Sequence, residues 1–271
     1  MSDTSNGGYK PAPAAIMFSG GTDSTLAAAL MLEEGRDVHL LCYNPGFVLF
    51  LRNSRFNASR LIQVYGEDRV HYHYIKNHEL TKKVLWKTMK EDLKSYGFNM
   101  NSLLCLGCRM AMHTGAVSFC LEHGVPYLVD GSIADQATVP EQLQSTLARH
   151  RAFYQDTFGI NHRSPIYDES RSDMRLAEMG MTEQGGLKKQ FILFDTQGTC
   201  PLGVTADVYS RMFYRLMPKT RERESKEYGL SKYPLMVQTV RDHFPVGDLN
   251  FEAAVERLRE LKAKDDEHES K

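Results

Sequence analysis

The chain has 271 residues, of which 42% are hydrophobic and 25% are charged, and its 33 basic and 34 acidic side chains leave a formal charge of −1. This composition is typical of a soluble protein with one large α/β domain, with or without an appended lobe. The near-neutral charge excludes a polycationic nucleic-acid binder, so any contact with nucleic acid must come from a local patch. No run approaches about 18 apolar residues and the first residues form no basic, apolar leader, so we expect a cytoplasmic protein that does not span a membrane.

The predicted elements alternate between strand and helix along most of the chain. Residues 1–13, rich in Gly, Pro, Ser and Ala, are predicted to form a disordered arm. Strands are predicted near 14–18, 37–44, 70–75, 125–131 and 190–194, and helices near 23–34, 47–65, 79–96 and 109–123. This alternation predicts an α/β fold with a doubly wound parallel sheet over residues 14–205. From 206 to 271 the pattern is mostly helical and predicts a helical C-terminal extension.

The loop after the first strand, Ser19-Gly20-Gly21-Thr22-Asp23-Ser24, is the strongest chemical motif of the chain. Its glycines remove side chains that would keep an anion away, and they let the backbone turn sharply. The N–H groups of the turn and of the following helix then point at one place and predict an anion site. Asp23 offers a Mg²⁺ contact and Ser24 a hydroxyl donor. The Walker A spacing and its lysine are missing, and a tight turn with a serine cap is the alternative interpretation.

Ser-Gly-Gly-x-Asp-Ser between a first strand and a first helix resembles the pyrophosphate loop of the ATP pyrophosphatase (PP-loop) superfamily. The resemblance implies an adenine nucleotide alpha-hydrolase-like fold, ATP and Mg²⁺ as cofactors, and a catalytic role for Asp23. It also implies which loop residues hold the ATP phosphates: Ser19, Gly20, Gly21, Thr22, Asp23 and Ser24. The segment from Gly131 to Gln136 is similar to a second nucleotide-site segment of the family, which implies that Gly131 and Asp135 contribute to nucleotide binding.

The five cysteines do not predict a disulfide framework, because the number is odd and no leader segment is recognised. Cys42 and Cys120 lie in a predicted strand and helix and are interpreted as small core residues. Cys105-Leu106-Gly107-Cys108 follows a predicted loop, 98–104, and leads into a helix. Taken alone, this C-x-x-C is compatible with a redox pair, half of a zinc site or part of an iron–sulfur site. His113 is a conceivable fourth ligand, although we favour an ordinary helix position for it.

A third cysteine, Cys200, stands far from this pair, directly before a proline. A PP-loop followed by C-x-x-C and a lone distant cysteine resembles the iron–sulfur-dependent tRNA thiolases. The 2-thiocytidine synthetase family fits better than the 2-thiouridine family, because no zinc-ribbon cysteines flank the core. The resemblance implies that Cys105, Cys108 and Cys200 are catalytic and ligate three irons of a [4Fe–4S] cluster. It further implies tRNA as the substrate and a separate sulfur-donor system as a partner.

The expected function is therefore ATP-dependent sulfur transfer to a carbonyl carbon of a nucleobase, with release of AMP and pyrophosphate. Three alternatives stay open: a persulfide on Cys108 or Cys200 without a cluster, amide or nitrile formation from ammonia with cysteine-bound zinc, and an ATP-binding regulatory subunit without chemistry. A small nucleobase-like substrate competes with tRNA, and a homodimer is allowed. The lysines between Lys82 and Lys94 are interpreted first as a solvated helix face and second as a surface for the phosphate backbone.

Overall fold

The computed structural model describes residues 9–136, 139–181, 200–213, 218–244 and 250–269. The strand predicted near 190–194 lies outside these residues, as do positions 1–8 of the predicted disordered arm. Residues 9–13 of that arm are described, and Ala12 makes two backbone hydrogen bonds, donating to Asp265 Oδ1 at 2.9 Å and accepting from Arg36 Nη1 at 2.9 Å.

The described strands form one five-stranded sheet in the order β3-β2-β1-β4-β5, and every neighbouring pair is parallel. The strands are β1 Ala14–Met17, β2 Val38–Asn44, β3 Val70–Lys76, β4 Tyr127–Val129 and β5 Asn161–Arg163. Ala14 pairs with Val38 on one side and Tyr127 on the other, so β1 is central. The sequence does not predict β5, because Asn-His-Arg contains no apolar run that would identify a strand.

Helices follow the strands and cover both faces of the sheet. They are α1 Thr22–Glu33, α2 Ser54–Tyr65, α3 His78–Thr81, α4 Met89–Tyr96, α5 Gly107–His123, α6 Gln144–Phe158, α7 Ser172–Glu178, α8 Pro201–Phe213, α9 Pro218–His243 and α10 Phe251–Glu269. This arrangement confirms the predicted doubly wound α/β fold with a helical C-terminal region.

Two apolar clusters lie on opposite faces of the sheet, because successive strand side chains point to opposite sides. Ile16 and Leu40 pack with α1, α2 and α7 on one face. Ala15 and Leu41 pack with α5, α6, α9 and α10 on the other. The sheet is thus buried on both sides, as parallel sheets require.

The C-terminal helices share the second cluster with the sheet. Tyr228 and Met236 of α9 and Leu258 of α10 are fully buried in it. At the amino ends of the strands, Asp265 of α10 pairs with the buried Arg36, with Nη1 and Oδ2 2.6 Å apart. The predicted division at 205/206 falls within α8 and stays a prediction.

One local prediction is wrong. The loop predicted at 98–104 is partly helical, because Asn101–Leu106 forms a π-helical turn that runs directly into α5. Single π turns inside α-helices are frequent at functional sites. At the start of α7, Arg171 occupies the N-cap position and no side chain caps the helix.

One described helical segment, Asn101–His123, is long and apolar enough to cross a membrane by length and composition alone. Its most apolar window has a mean hydropathy of 1.3, and 61% of that window is buried inside the protein. Core helices pass the same test, so the segment is weak evidence for a membrane span.

Candidate nucleotide and thiol site

A cavity of about 380 Å³ opens at the carboxyl ends of β1 and β4. The chain leaves β1 toward β2 on one side and reaches β4 on the other, so this is the point where the strand order reverses. Open α/β sheets bind ligands in the crevice at such a switch point. The cavity therefore lies where the fold predicts a binding site.

The glycine loop forms one wall of the cavity, and its shape depends on Gly20. This residue has φ +79°, and a Cβ built on it would lie 2.3 Å from Ser54 Cα. Asn57 Nδ2 donates to the Gly20 carbonyl oxygen at 2.5 Å. The loop is thus packed against the start of α2 with no room for a side chain at position 20.

The serines hold the loop against the first turn of α1. Ser19 Oγ accepts from the Gly21 N–H at 3.2 Å, and Ser24 Oγ donates to the Gly21 carbonyl oxygen at 3.1 Å. The first intrahelical bond runs from the Thr25 N–H to Gly21. The N–H groups of residues 22–24 therefore have no acceptor within the helix and make the amino end of α1 an anion site.

Of the predicted phosphate-binding residues, three line the cavity: Ser19, Asp23 and Ser24. Gly20, Gly21 and Thr22 are not among the described lining residues, and their role in phosphate binding stays a prediction. Gly131, directly after β4, also lines the cavity. A Cβ on Gly131 would lie 2.7 Å from Ser24 N, so its close approach to α1 requires glycine.

The three predicted cysteines form the opposite wall. Cys105 lies in the π-helical turn, Cys108 in the first turn of α5, and Cys200 directly before α8; all three are half-buried and line the cavity. The Gly203 N–H of α8 donates to Cys200 Sγ at 3.2 Å. A Cβ on Gly203 would lie 3.5 Å from Cys200 Sγ and 3.9 Å from Cys105 Sγ, so the fold brings these distant thiols together.

The three thiol sulfurs do not all lie within 4.8 Å of one another. Thiolates on a tetrahedral zinc ion lie about 3.8 Å apart, since each Zn–S bond is about 2.3 Å. In the described part of the chain, the metal-compatible group gathered within 4.8 Å is His113, Asp130 and His162, not the thiols. Thiols that each ligate a different iron of a cluster stand further apart, and three thiols are a donor set that iron–sulfur clusters use.

Cys108 is protonated in the metal-free protein. Burial, with smaller contributions from the nearby Cys200 and Glu141, raises the pKa of its thiol to about 12. A metal that binds here must displace this proton, because the thiolate is the ligand.

A second polar group lies at the cavity, where Arg109 and Asp130 line it, and no sequence motif predicts this group. Asp130, directly after β4, accepts from Arg109 Nη2 at 2.6 Å and lies 3.0 Å from His162 Nε2. Burial by itself raises the pKa of Asp130, but Arg109 and His162 together hold it well below its usual value. The Arg109 guanidinium already donates to His113 and to Asp130, two of the three side chains gathered there, so the group is an ion-pair network.

Two residues singled out from the sequence do not join the thiols. Asp135 is exposed on a short turn, Ala134–Gln136, and is not among the described residues that line the cavity. His113 is fully buried on α5 and contacts Arg109 and Tyr154 instead of a thiol. The role of Asp135 in nucleotide binding stays a prediction.

No protein-family model and no curated protein sequence matches the chain. Several solved structures are similar to it, among them the three that follow. A predicted subunit of a tRNA methyltransferase from Methanocaldococcus jannaschii is 17% identical over 62% of this chain and 76% of that one, with a TM-score of 0.41. A 4-thiouridine synthetase, solved with RNA and ATP, is 13% identical over 82% of this chain, with a TM-score of 0.43.

The U34-tRNA thiolase NcsA from Methanococcus maripaludis, solved with its [4Fe–4S] cluster, is 16% identical over 82% of this chain and 72% of that one, with a TM-score of 0.40. The chain spans 53% of the 4-thiouridine synthetase, about half of its length. At these identities and TM-scores, the similarities assign no activity, ligand or partner to this chain.

Proposed function

We propose that the protein is an ATP-dependent sulfur transferase of the PP-loop type, which adenylates a nucleobase carbonyl and replaces its oxygen with sulfur. One observation carries the proposal: an anion-binding glycine loop and three thiols from separate parts of the chain face the same 380 Å³ cavity. A cavity of this size lies within the range of sites that bind one ligand of nucleotide size.

The loop wall supports the adenylation step. A carbonyl oxygen is a poor leaving group, so the oxygen first attacks the α-phosphorus of ATP, and pyrophosphate leaves with the electrons of the broken P–O bond. The N–H groups at the start of α1 stabilise the negative charge of the departing pyrophosphate. Asp23 lines the same wall and offers a carboxylate to Mg²⁺.

The thiol wall supports the sulfur step, in which a sulfide attacks the activated carbon and AMP leaves with the former carbonyl oxygen. We infer that Cys105, Cys108 and Cys200 hold a [4Fe–4S] cluster. When bound by three thiolates, such a cluster supplies an iron with an open coordination position for sulfur. Leu104, Met112 and Leu202 line the cavity beside the thiols and limit the access of water to this wall.

The surface beside the cavity supports an RNA substrate. Residues 44–66 contain three arginines and no acidic residue. Phe50 is 47% exposed and Phe56 62% exposed. Phe47 lines the cavity, and its ring centroid lies 6.2 Å from that of Trp86. Exposed rings stack on unpaired bases and arginines bind phosphates, so this surface fits a structured RNA better than a free nucleobase.

The proposal is tested with protein purified without oxygen and supplied with ATP, Mg²⁺, sulfide and bulk tRNA. We expect AMP and pyrophosphate as products, together with a thiolated nucleoside that mass spectrometry detects in the digested RNA. ATP cleavage to ADP, or incorporation of ammonia instead of sulfide, contradicts the proposal.

The Cys200→Ala variant separates the two walls in the same assay. It should lose thiolation and keep ATP affinity within about twofold, whereas the core variant Cys42→Ala should keep both. Normal thiolation by Cys200→Ala rules out a role for the three thiols.

The substrate class is tested by the salt dependence of tRNA binding. Arg52 and Arg55 are both exposed. Replacing both with alanine should reduce the slope of log affinity against log salt by about 1 for each RNA phosphate that the variant no longer binds. An unchanged slope, or turnover of a free nucleobase at the rate of tRNA, argues for a small-molecule substrate.

A further inference from the structure

Arg109 stands between the two walls of the cavity. It follows Cys108 on α5, lines the cavity and is 17% exposed. Its Nη2 donates to Asp130 Oδ2 at 2.6 Å and to Ser132 Oγ at 3.0 Å, and its Nε donates to His113 Nε2 at 3.2 Å. Three hydrogen bonds therefore fix the plane of the guanidinium.

The support for Arg109 is itself held from several elements. Asp130 Oδ1 accepts from the Ser132 N–H at 3.0 Å and from Ser164 Oγ at 2.9 Å. His162 of β5 contacts the other carboxylate oxygen. A buried carboxylate with this many partners is a rigid anchor for a guanidinium.

The protonation of His113 follows from its partners. A guanidinium N–H only donates, so His113 Nε2 must accept from Arg109 and its proton must lie on Nδ1. Nδ1 lies 2.9 Å from Tyr154 Oη, where this proton is donated. Burial lowers the pKa of His113 well below its usual value, and Arg109 lowers it further, so the ring is neutral. The neutral ring leaves the positive charge on Arg109.

The third guanidinium nitrogen of Arg109 is Nη1. It makes no hydrogen bond to any residue in the described part of the chain, although the other two guanidinium nitrogens are satisfied. Asp130 and Ser132, which both accept from Nη2, flank Gly131 in the sequence. Gly131 packs on the amino end of α1. The unsatisfied donors are thus held beside the loop that receives the ATP phosphates.

We propose that Arg109 is a second anion-binding group of the cavity and that it takes the α-phosphate of ATP, staying with the AMP part when pyrophosphate leaves. This inference rests on the proposed function. The Arg109–Asp130 pair is neutral as a unit, which suits the singly charged phosphodiester of an adenylated substrate better than the highly charged pyrophosphate. The glycine loop binds pyrophosphate, whereas Arg109 binds the group that sulfide displaces.

The test measures binding of three probes by calorimetry: AMP, pyrophosphate and adenosine. In Arg109→Gln we expect AMP to bind at least tenfold more weakly, while pyrophosphate and adenosine change by less than twofold. Arg109→Lys keeps the charge beside Asp130 and should fold like the wild type. It should still bind AMP about threefold or more weakly, because the planar guanidinium is lost. Arg149→Gln, a variant on α6 away from the cavity lining, is the matched control and should change none of the three.

Asp130 acts as a positioning residue through Arg109, and this role has its own readout. Asp130→Asn should weaken AMP binding when it is made in the wild-type protein. In the Arg109→Gln variant it should weaken AMP binding by less than a further twofold, since the two residues work as a unit. Unchanged AMP binding in Arg109→Lys and Arg109→Gln, or equal weakening of AMP and pyrophosphate, overturns the inference. Wild-type protein that binds no ATP at all contradicts the proposed function instead.

Discussion

The two walls of the cavity are built in different ways. The loop wall comes from one contiguous segment, residues 18–25, and it presents backbone N–H groups whose position depends on Gly20. The thiol wall is assembled from a π-helical turn, the start of α5 and the residue before α8. A contiguous wall is sensitive to backbone shape, whereas an assembled wall is sensitive to how its helices pack. Each wall should therefore fail independently of the other.

The largest expected effect comes from Gly20→Ala. The new Cβ would lie 2.3 Å from Ser54 Cα, and φ +79° disfavours alanine, so the loop must move. Loss of about 4 kcal/mol of phosphate binding corresponds to an ATP affinity lower by roughly a thousandfold, while the metal content of the thiol wall stays unchanged.

The matched control for this loop variant is Gly180→Ala. Gly180 has φ +72° with no atom within 4 Å of its Cβ position. It should lower the free energy of unfolding by about 1 kcal/mol and leave ATP affinity unchanged. Equal ATP affinity in Gly20→Ala and the wild type contradicts the claim that the loop wall depends on the backbone shape at Gly20.

The amino ends of the strands offer a change that should spare both walls. Asp265 is buried, and burial alone raises its pKa, but hydrogen bonds from Tyr127, Tyr9 and Ala12 and the Arg36 guanidinium lower it to about 2. Asp265→Asn takes the buried carboxylate away from the Arg36 guanidinium, whose remaining ion-pair partner is Glu34 at the surface, so the free energy of unfolding at pH 7 should fall by about 3 kcal/mol. Urea unfolding measures this, and ATP affinity under native conditions should stay the same.

The same pair predicts a pH dependence. The pKa of Asp265 is about 2 in the folded protein, against an ordinary value of 3.8. A lowered folded pKa stabilises the protein above pH 3.8, and this contribution of about 2 kcal/mol is lost as the pH falls toward 2. The stability gap between the wild type and Asp265→Asn should narrow over that range. Asp266→Asn, in an exposed pair with Lys262, should change stability by less than about 0.5 kcal/mol at any pH.

A smaller effect, confined to the thiol wall, is expected from Gly203→Leu. A Cβ at this position is in ordinary contact with both Cys200 Sγ and Cys105 Sγ, so a longer side chain fills the space next to the sulfurs. We expect bound iron per chain to fall by about half or more, with ATP affinity within twofold. Val204→Leu, at the neighbouring exposed position, should keep its iron. Full iron content in Gly203→Leu shows that the sulfurs do not face a shared group.

The difference between a contiguous wall and an assembled one explains how much of the site can be predicted from the sequence. The loop motif and the parallel sheet are predictable, because each has a contiguous signal. The convergence of Cys105, Cys108 and Cys200 on one cavity is implied only by the resemblance to the thiolases. The Arg109–Asp130–His162 network is not, since its members lie on α5, after β4 and on β5 and share no spacing. Asp130 ends an apolar run and Arg109 follows a cysteine, and neither pattern indicates that the two pair.

One departure from the sequence-based expectations, at residues 101–106, has a local cause. The π-helical turn at Asn101–Leu106 falls in a predicted loop, because a π turn has no periodic apolar pattern of its own. Asp135 enters the candidate site through its similarity to a family segment, although the structure leaves it exposed on a turn. Side-chain direction after a strand depends on tertiary packing that a short segment does not encode.

The central claim, that the thiols hold an iron–sulfur cluster beside the ATP loop, is tested most directly by assaying iron and acid-labile sulfide in protein purified without oxygen. We predict broad visible absorption and about four irons and four sulfides per chain, as a [4Fe–4S] cluster contains. Cys105→Ala should lose them, and Cys120→Ala, a change in the buried core of α5, should keep them. A colourless wild-type protein that carries zinc or no metal, or a Cys105→Ala variant with full iron content, contradicts the account.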